Sequence, residues 1–523
     1  MRSEPKQKAI VDFVFEHAVA TPDKLAIASE YDAYTYGELR RRVLAVVSRL
    51  RALDIGRGDI VAVLAPPRTD AYTLFLALNS IGAIWLSLNN KFRYPEMEHM
   101  VVNARPKAMF FIAEMGGRNY VDEVRKLAES TDSIRPLCSL DREIDDAELA
   151  GVSYFPYMVE SGMASECAEP PARDETAVAA IIYTSGSTGR PKGCLLPNRS
   201  MVHRVLVQID EYPLEQLPSM YVPFPLNHVG GLVLMSGFAM ASGGAAHFRE
   251  MFVPGDVGNI AEQHGINFLA LLPTMYKMIF DSDDFDAGQF KDVEIFFWSG
   301  TRMPRSMIEQ LQAMGRGQVR TNYGATELCS SLTCSDPDMD IDTLAITIGR
   351  SRSGELRVVK KDGRECQVGE IGEIQARREF CMAGYLNNPE ATAAAYTKDG
   401  WLKTGDLVEV LPDGNLSFVG RDSDMYKSGG ENIYPAEIEA CIEANPKVNL
   451  VAVIGVADEL YGEVGRAYIL KTPDADLSPE EMKAWCVERL ANYKIPKKFD
   501  FCDALPLLAN GKIDKVSLRK AID

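Results

Sequence analysis

Histidine and tryptophan are scarce in this chain, six and four among 523 residues, and its ten cysteines include no CxxC pair. Zinc clusters need closely spaced ligands and disulfide frameworks need regularly spaced cysteines, so neither is expected and a reducing cytoplasm suits the scatter best. Long apolar runs are also missing. The longest, residues 230–246, is broken by glycines and serines and falls short of the roughly twenty residues of a spanning helix, so no stable membrane insertion is expected. The first ten residues (MRSEPKQKAI) are charged and lack the apolar core of a signal peptide, and residues 521–523 carry no targeting signal. Positive charge is in deficit, 56 basic against 74 acidic side chains for a net −18, which argues against nucleic acid or anionic lipid as a general partner. A local anion site remains compatible with that balance.

What is present describes an ordinary globular chain, 46% hydrophobic and 25% charged, long enough for two or more structural units. Apolar runs at residues 59–65, 108–113 and 293–298 read as buried strands, and they alternate with helical patterns such as 72–81 and 305–314. That alternation predicts an α/β fold of sheets covered by helices. The texture changes near Gly420. Short strands follow at 450–456 and 467–470, then a helix with Ser478 as N-cap, Pro479 in its first turn, Glu481 completing a capping box, and apolar Trp485, Val487 and Leu490. The expected organisation is a large multi-layer α/β domain over residues 1–421 and a small α+β domain over 422–523.

Residues 183–193 (YTSGSTGRPKG) are the most informative stretch. They follow an apolar run, 177–183, that suits a buried strand. Gly186, Gly189 and Gly193 let backbone approach phosphate oxygens, Thr184, Ser185, Ser187 and Thr188 offer hydroxyls, and Lys192 adds a mobile positive charge. This is a phosphate cradle on a strand end. It departs from GxxxxGK[ST], because Pro191 precedes Lys192, so a P-loop NTPase is excluded. Four more segments carry chemistry. YGATE (323–327) combines an aromatic, a glycine, a hydroxyl and a carboxylate, as an adenine platform beside a magnesium site requires. WLKTGDL (401–407) sets Asp406 after a glycine, where a carboxylate can accept both ribose hydroxyls. GRDSDMYKSGGENIYPAEIE (420–439) contains Arg421, the Gly429 and Gly430 pair, and a helix starting at Pro435. PLLANGK (506–512) presents Lys512 on a glycine turn.

In this order, and over residues 10 to about 519, these segments resemble the adenylate-forming superfamily of acyl-CoA synthetases, luciferases and peptide-synthetase adenylation domains. The stretches ATPDKLAI (20–27), GYLNNPEAT (384–392) and ANYKIPK (491–497) are similar to that family too. The resemblance implies a two-step reaction on a small-molecule carboxylic acid. ATP first converts the acid to an acyl-adenylate, and a thiol then displaces AMP. It also implies residue roles: Thr184, Ser185, Gly186, Ser187, Thr188, Gly189 and Lys192 on the β and γ phosphates, Thr326 and Glu327 at the α phosphate and Mg²⁺, and Tyr323 with Gly324 at adenine. Asp406 and Arg421 would hold the ribose. Lys512 would bridge the α phosphate and the attacking carboxylate, and Gly429 and Gly430 would lie on the thiol-binding face of a small domain that swings about Ser423.

PLNHVGG (225–231) is similar to the acyl-CoA synthetase form, whose histidine gates the acyl site, and this singles out His228. No aspartate for an amino-acid ammonium group stands there, and no GGxS carrier segment follows Arg519, so free CoA is the simplest thiol source. Loading of a carrier protein is the alternative, and an inactive nucleotide-binding relative is a third reading. Three positions depart from the family pattern: Ser423 stands where relatives have Asp or Lys, residues 298–304 read WSGTRMP with Thr301 and Arg302 beside the acyl site, and Asn227 replaces an aromatic residue. Thr301 and Arg302 argue for an unusual acid, and Asn227 argues against generic fatty-acid specificity. The oligomeric state is open, a homo-oligomer included.

Overall fold

The computed structural model describes residues 8–145, 147–164, 174–184, 191–314, 317–351, 354–473, 475–507 and 513–521. The alternation of apolar runs and helical patterns resolves into two eight-stranded sheets. In the first, the parallel strands Leu25–Ala28, Ala245–Phe248, Ser219–Val222, Phe268–Leu271, Ile295–Trp298 and Gln318–Ala325 lie side by side. Antiparallel strands Ala33–Thr35 and Ser330–Cys334 close its edges. The second sheet centres on parallel Ile60–Leu64, Ile84–Leu88, Ala108–Phe111 and Val178–Thr184, with the last turning back through antiparallel Lys192–Pro197. The strands predicted at 59–65, 108–113 and 293–298 are present, trimmed by one or two residues at their ends.

Parallel strands must be covered on both faces, because their crossover connections place helices there. Helix Thr69–Ile81 meets this demand, with twelve of its thirteen residues buried. One core cluster takes in side chains from both sheets and the helices between them, among them Phe75, Trp85, Phe110, Ile181, Met235 and Phe268. The glycine-interrupted stretch at 230–246 becomes a π-helical turn, Gly230–Gly237, running into helix Phe238–Ser242 and then a strand. No helix among the described residues is long and apolar enough to cross a membrane.

A four-stranded antiparallel sheet follows, Leu356–Val359, Ile371–Arg377, Trp401–Val410 and Leu416–Arg421. After Arg421 the chain leaves this sheet. A further sheet is built on the long hairpin Val448–Asp458 and Gly462–Lys471, with Tyr426–Ser428, Glu431–Ile433 and Lys498–Phe501 added to it. Its own core gathers Tyr426, Ile438, Ile442, Val453, Ile469 and Met482. Helix Pro479–Val487 has the predicted capping box between Ser478 and Glu481. Val487, expected on the apolar stripe, is instead 58% exposed, because the buried positions are Met482 and Cys486, one turn apart.

Candidate active site

In an open parallel sheet the loops at the carboxyl ends of the strands form the binding crevice. Here those loops hold residues 223–230 after Ser219–Val222, 299–304 after Ile295–Trp298, and the turn at Thr326–Leu328 after Gln318–Ala325. The strand Val178–Thr184 from the other sheet contributes its end, where Thr184 lies opposite Lys192 in antiparallel register. Ser185, Gly186, Ser187, Thr188 and Gly189 lie outside the described residues, as does Lys512.

Two groups of side chains form. In the first, the Lys192 ammonium sits 5.3 Å over the Tyr385 ring, and the Tyr385 hydroxyl donates to Glu327 at 3.1 Å. Burial, then the Glu327 carboxylate, raises the Tyr385 pKa, so the phenol stays a donor. The Cys194 thiol is raised mainly by burial and next by the same carboxylate, which places Glu327 beside it. Glu327 sits on a 3₁₀ turn followed by two non-glycine residues at positive φ, Cys329 at 63° and Ser330 at 149°. Such backbone is costly and persists only when its surroundings hold it. The Met382 amide does so by donating to the Glu327 carbonyl at 2.9 Å. Gly324 is required nearby, since a Cβ there would lie 2.3 Å from the Ser330 carbonyl oxygen.

In the second group Asp406, 3% exposed, accepts from the Tyr323 hydroxyl at 2.5 Å and from Arg421 Nε at 3.1 Å. Asp406 and Arg421 face each other in strand register. The carboxylate raises the Arg421 pKa, while burial and then Asp406 raise that of Tyr323. Gly405, at φ 72°, turns its amide to Glu373 Oε1 and thereby aims the next residue. The sequence reading assigned no role to Tyr385, Glu373 or Cys194. For Tyr385 the signal was present, inside the GYLNNPEAT stretch. Removing the Tyr323 hydroxyl leaves Asp406 one charge-assisted bond short, so Tyr323→Phe is expected to weaken ATP affinity by about tenfold, with CoA affinity unchanged, in a calorimetric titration of each.

Thr326 is buried at 9% exposure. His228 is exposed, and its Nδ1 accepts the Gly230 amide at 3.0 Å, which leaves the proton of the neutral ring on Nε2. Gly231 lets this loop close, because a Cβ would meet the carbonyls of Phe224 and Pro225. Asn227 Oδ1 is buried without a hydrogen-bond partner among the described residues. Gly429 and Gly430 form a hairpin tip at φ 58° and 92°, where the Gly429 amide donates to Tyr461. Among the described residues no hydrogen bond or ion pair joins them to Glu327 or Asp406.

Ser423 occupies an exposed turn closed by the Asp424 and Met425 amides on the Arg421 carbonyl. Its neighbours point to different partners: Asp422 pairs with Lys361 at 3.2 Å and Asp424 approaches Arg519 at 3.8 Å. Nearby, Arg302 lies within electrostatic reach of Glu443. Burial, then Glu439, pushes the Glu443 pKa up to about 7, against the pull of Arg302 and Lys515.

Residues 14–386 match the AMP-binding enzyme family model, and residues 437–512 match the AMP-binding enzyme C-terminal domain. The chain belongs to the AMP-binding enzymes. It is 30% identical over 500 residues to a feruloyl-CoA synthase of an Amycolatopsis species, covering 96% of each chain. ATP-bound MatB from Rhodopseudomonas palustris superposes with a TM-score of 0.87 at 26% identity over 98% of both chains. The o-succinylbenzoate CoA synthetase of Bacillus subtilis, solved with its acyl-adenylate intermediate, gives 0.83 at 25% identity over 97% of both. The resemblance read from the motifs is confirmed.

Proposed function

We propose that this protein is an AMP-forming acid:CoA ligase. A carboxylate oxygen of the acid attacks the α phosphorus of ATP, and the bond to the bridging oxygen breaks to release pyrophosphate. The CoA sulfur then attacks the acyl carbon of the mixed anhydride, AMP departs, and the thiol proton passes to solvent. The observation that carries this reading is the convergence of Lys192, Tyr385 and Glu327 beside buried Tyr323 and Asp406 and their partner Arg421 at the carboxyl ends of the strands.

Each group has a task. Asp406 is a preorganised acceptor for the ribose hydroxyls, with its other lone pairs already committed to Tyr323 and Arg421. Lys192 and Thr184, with residues 185–189, hold the outer phosphates. Thr326 and Lys512 act on the α phosphate, Tyr323 and Gly324 border adenine, and His228 gates the acyl site. A magnesium ion bound with a nucleotide takes only one or two protein carboxylates, so Glu327, a single carboxylate held by a hydroxyl donor, fits such an ion and would hold it. The ion would supply positive charge against the polyphosphate. Glu327→Gln is expected to remove most turnover at limiting magnesium while the thermal transition stays in place.

Residues 1–421 and 422–523 then act as separate domains, with the small one exchanging Lys512 for the face at Gly429 and Gly430. The turn at 422–424 modifies the simplest hinge test. Proline at the third position of such a turn drives the preceding residue out of the helical region, so Ser423→Pro opposes the present arrangement as well as stiffening the chain. It is expected to change the ratio of thioester formation to pyrophosphate exchange severalfold, and Ser423→Ala to leave that ratio alone. Pyrophosphate exchange across a panel of carboxylic acids, followed by thioester assay with CoA as sole acceptor, tests the function itself. Exchange with no acid, or acyl transfer only to a carrier protein, would overturn it.

A further inference from the structure

A cavity of about 600 Å³ is lined by Thr176, Arg199, Arg377, Arg378, Glu379 and Trp401 among others. Two strands fix its distance from the nucleotide groups. Lys192–Pro197 begins at the phosphate lysine and ends at Pro197 on the cavity wall, and Trp401–Val410 begins on the wall and carries Asp406 five residues on. Five residues of strand span about 17 Å, so the two places are separate.

Three arginines line this space in a chain with a net charge of −18. Among the described residues no carboxylate lies within ion-pair distance of Arg199, Arg377 or Arg378. Arg199 Nε donates to the Glu379 carbonyl at 2.9 Å, Arg377 rests 5.4 Å from the Trp401 ring, and Arg378 rests 4.7 Å from the Tyr396 ring. Asp399 on the wall is already taken by Arg357 at 2.8 Å. Among the described residues that line the cavity, Glu379 is then the carboxylate left to offset three arginines. Aromatic shelves hold guanidinium planes in place without consuming their N–H donors, and a fixed fork of such donors matches phosphate oxygens in pairs.

We propose that this cavity is a second anion site that takes a small organic phosphate, its phosphate on the arginines and its apolar part against Pro197, Met382 and Trp401. The volume suits a ligand of nucleotide-monophosphate size, well above inorganic phosphate. Met382 both lines the cavity and donates its amide to the Glu327 carbonyl, so adenylation rate is the functional readout of occupancy.

The test counts AMP bound per full-length chain by equilibrium dialysis, with phenyl phosphate as a second probe read by tryptophan fluorescence. Wild type is expected to show two classes of AMP site. Arg377→Gln with Arg378→Gln should weaken one class at least tenfold while pyrophosphate exchange without added AMP persists. Arg199→Gln alone serves as the milder variant should the pair fail to fold. Asp406→Ala should remove only the other class, so failure of the nucleotide-site reading and failure of this one are told apart. A single class in wild type, or binding untouched by both arginine variants, would overturn the proposal and leave a solvated groove.

Discussion

Lys512→Ala is expected to lower carboxylate-dependent pyrophosphate exchange by a factor of about a hundred to a thousand, while thioester formation from a supplied acyl-adenylate continues near the wild-type rate. A carboxylate approaching the α phosphate brings negative charge toward negative charge. One positioned ammonium offsets that repulsion most strongly when the new bond is partly made, so its removal acts on the first half-reaction. In the second, the α phosphorus is already esterified and AMP leaves as a stabilised anion, so the same charge contributes little. Single-turnover measurements of the two halves read the difference. Equal losses in both, in a variant whose melting curve matches the wild type, would remove Lys512 from the role proposed for it.

The largest expected effect on stability lies behind the site. Glu355, 2% exposed, pairs with Arg204 at 2.7 Å and accepts from His203, which stacks on Phe380 at 3.8 Å. Arg204, 1% exposed, also donates to the carbonyls of Leu328 and Phe380. Removing one partner of a buried pair leaves the other charge without compensation, at about 3–5 kcal/mol. Glu355→Ala is therefore expected to lower the urea stability of the large domain by that amount. Replacing both partners with apolar residues, Arg204→Met with Glu355→Leu, should recover much of it, because the desolvated charge is then gone. Arg204 also anchors the carbonyl next to Glu327, so the double variant should remain folded yet adenylate poorly. Equal stability losses in the single and double variants would show that packing, not charge, sets the cost.

Much of this was legible one segment at a time. The strand before the phosphate loop is an unbroken apolar run, and helix Pro479–Val487 announces itself by Ser478, Pro479 and Glu481, because N-cap hydrogen bonds form between residues three apart. The reading failed where a local pattern was too short to fix a face. Val487 looked like a core residue but lies off the buried stripe, and the turn at Ser423 could not be seen from composition. Tyr385 stood in a family stretch without a task until the fold brought it to Glu327, 58 residues away.

The sequence by itself determined the alternation of strands and helices, the change of texture near Gly420, the phosphate-binding chemistry and the family, since each rests on neighbours in the chain or on ordered short motifs. The tertiary structure alone decided which groups meet. Tyr323 and Asp406 are 83 residues apart and Arg204 and Glu355 are 151 apart, while Arg199 on a helix and Arg377 and Arg378 at the end of a strand line one cavity. Hydrophobic periodicity records which face of an element is buried but not which other element covers it. That choice is made by the packing of whole sheets and helices, where the free energy belongs to the assembled core and no short segment carries it.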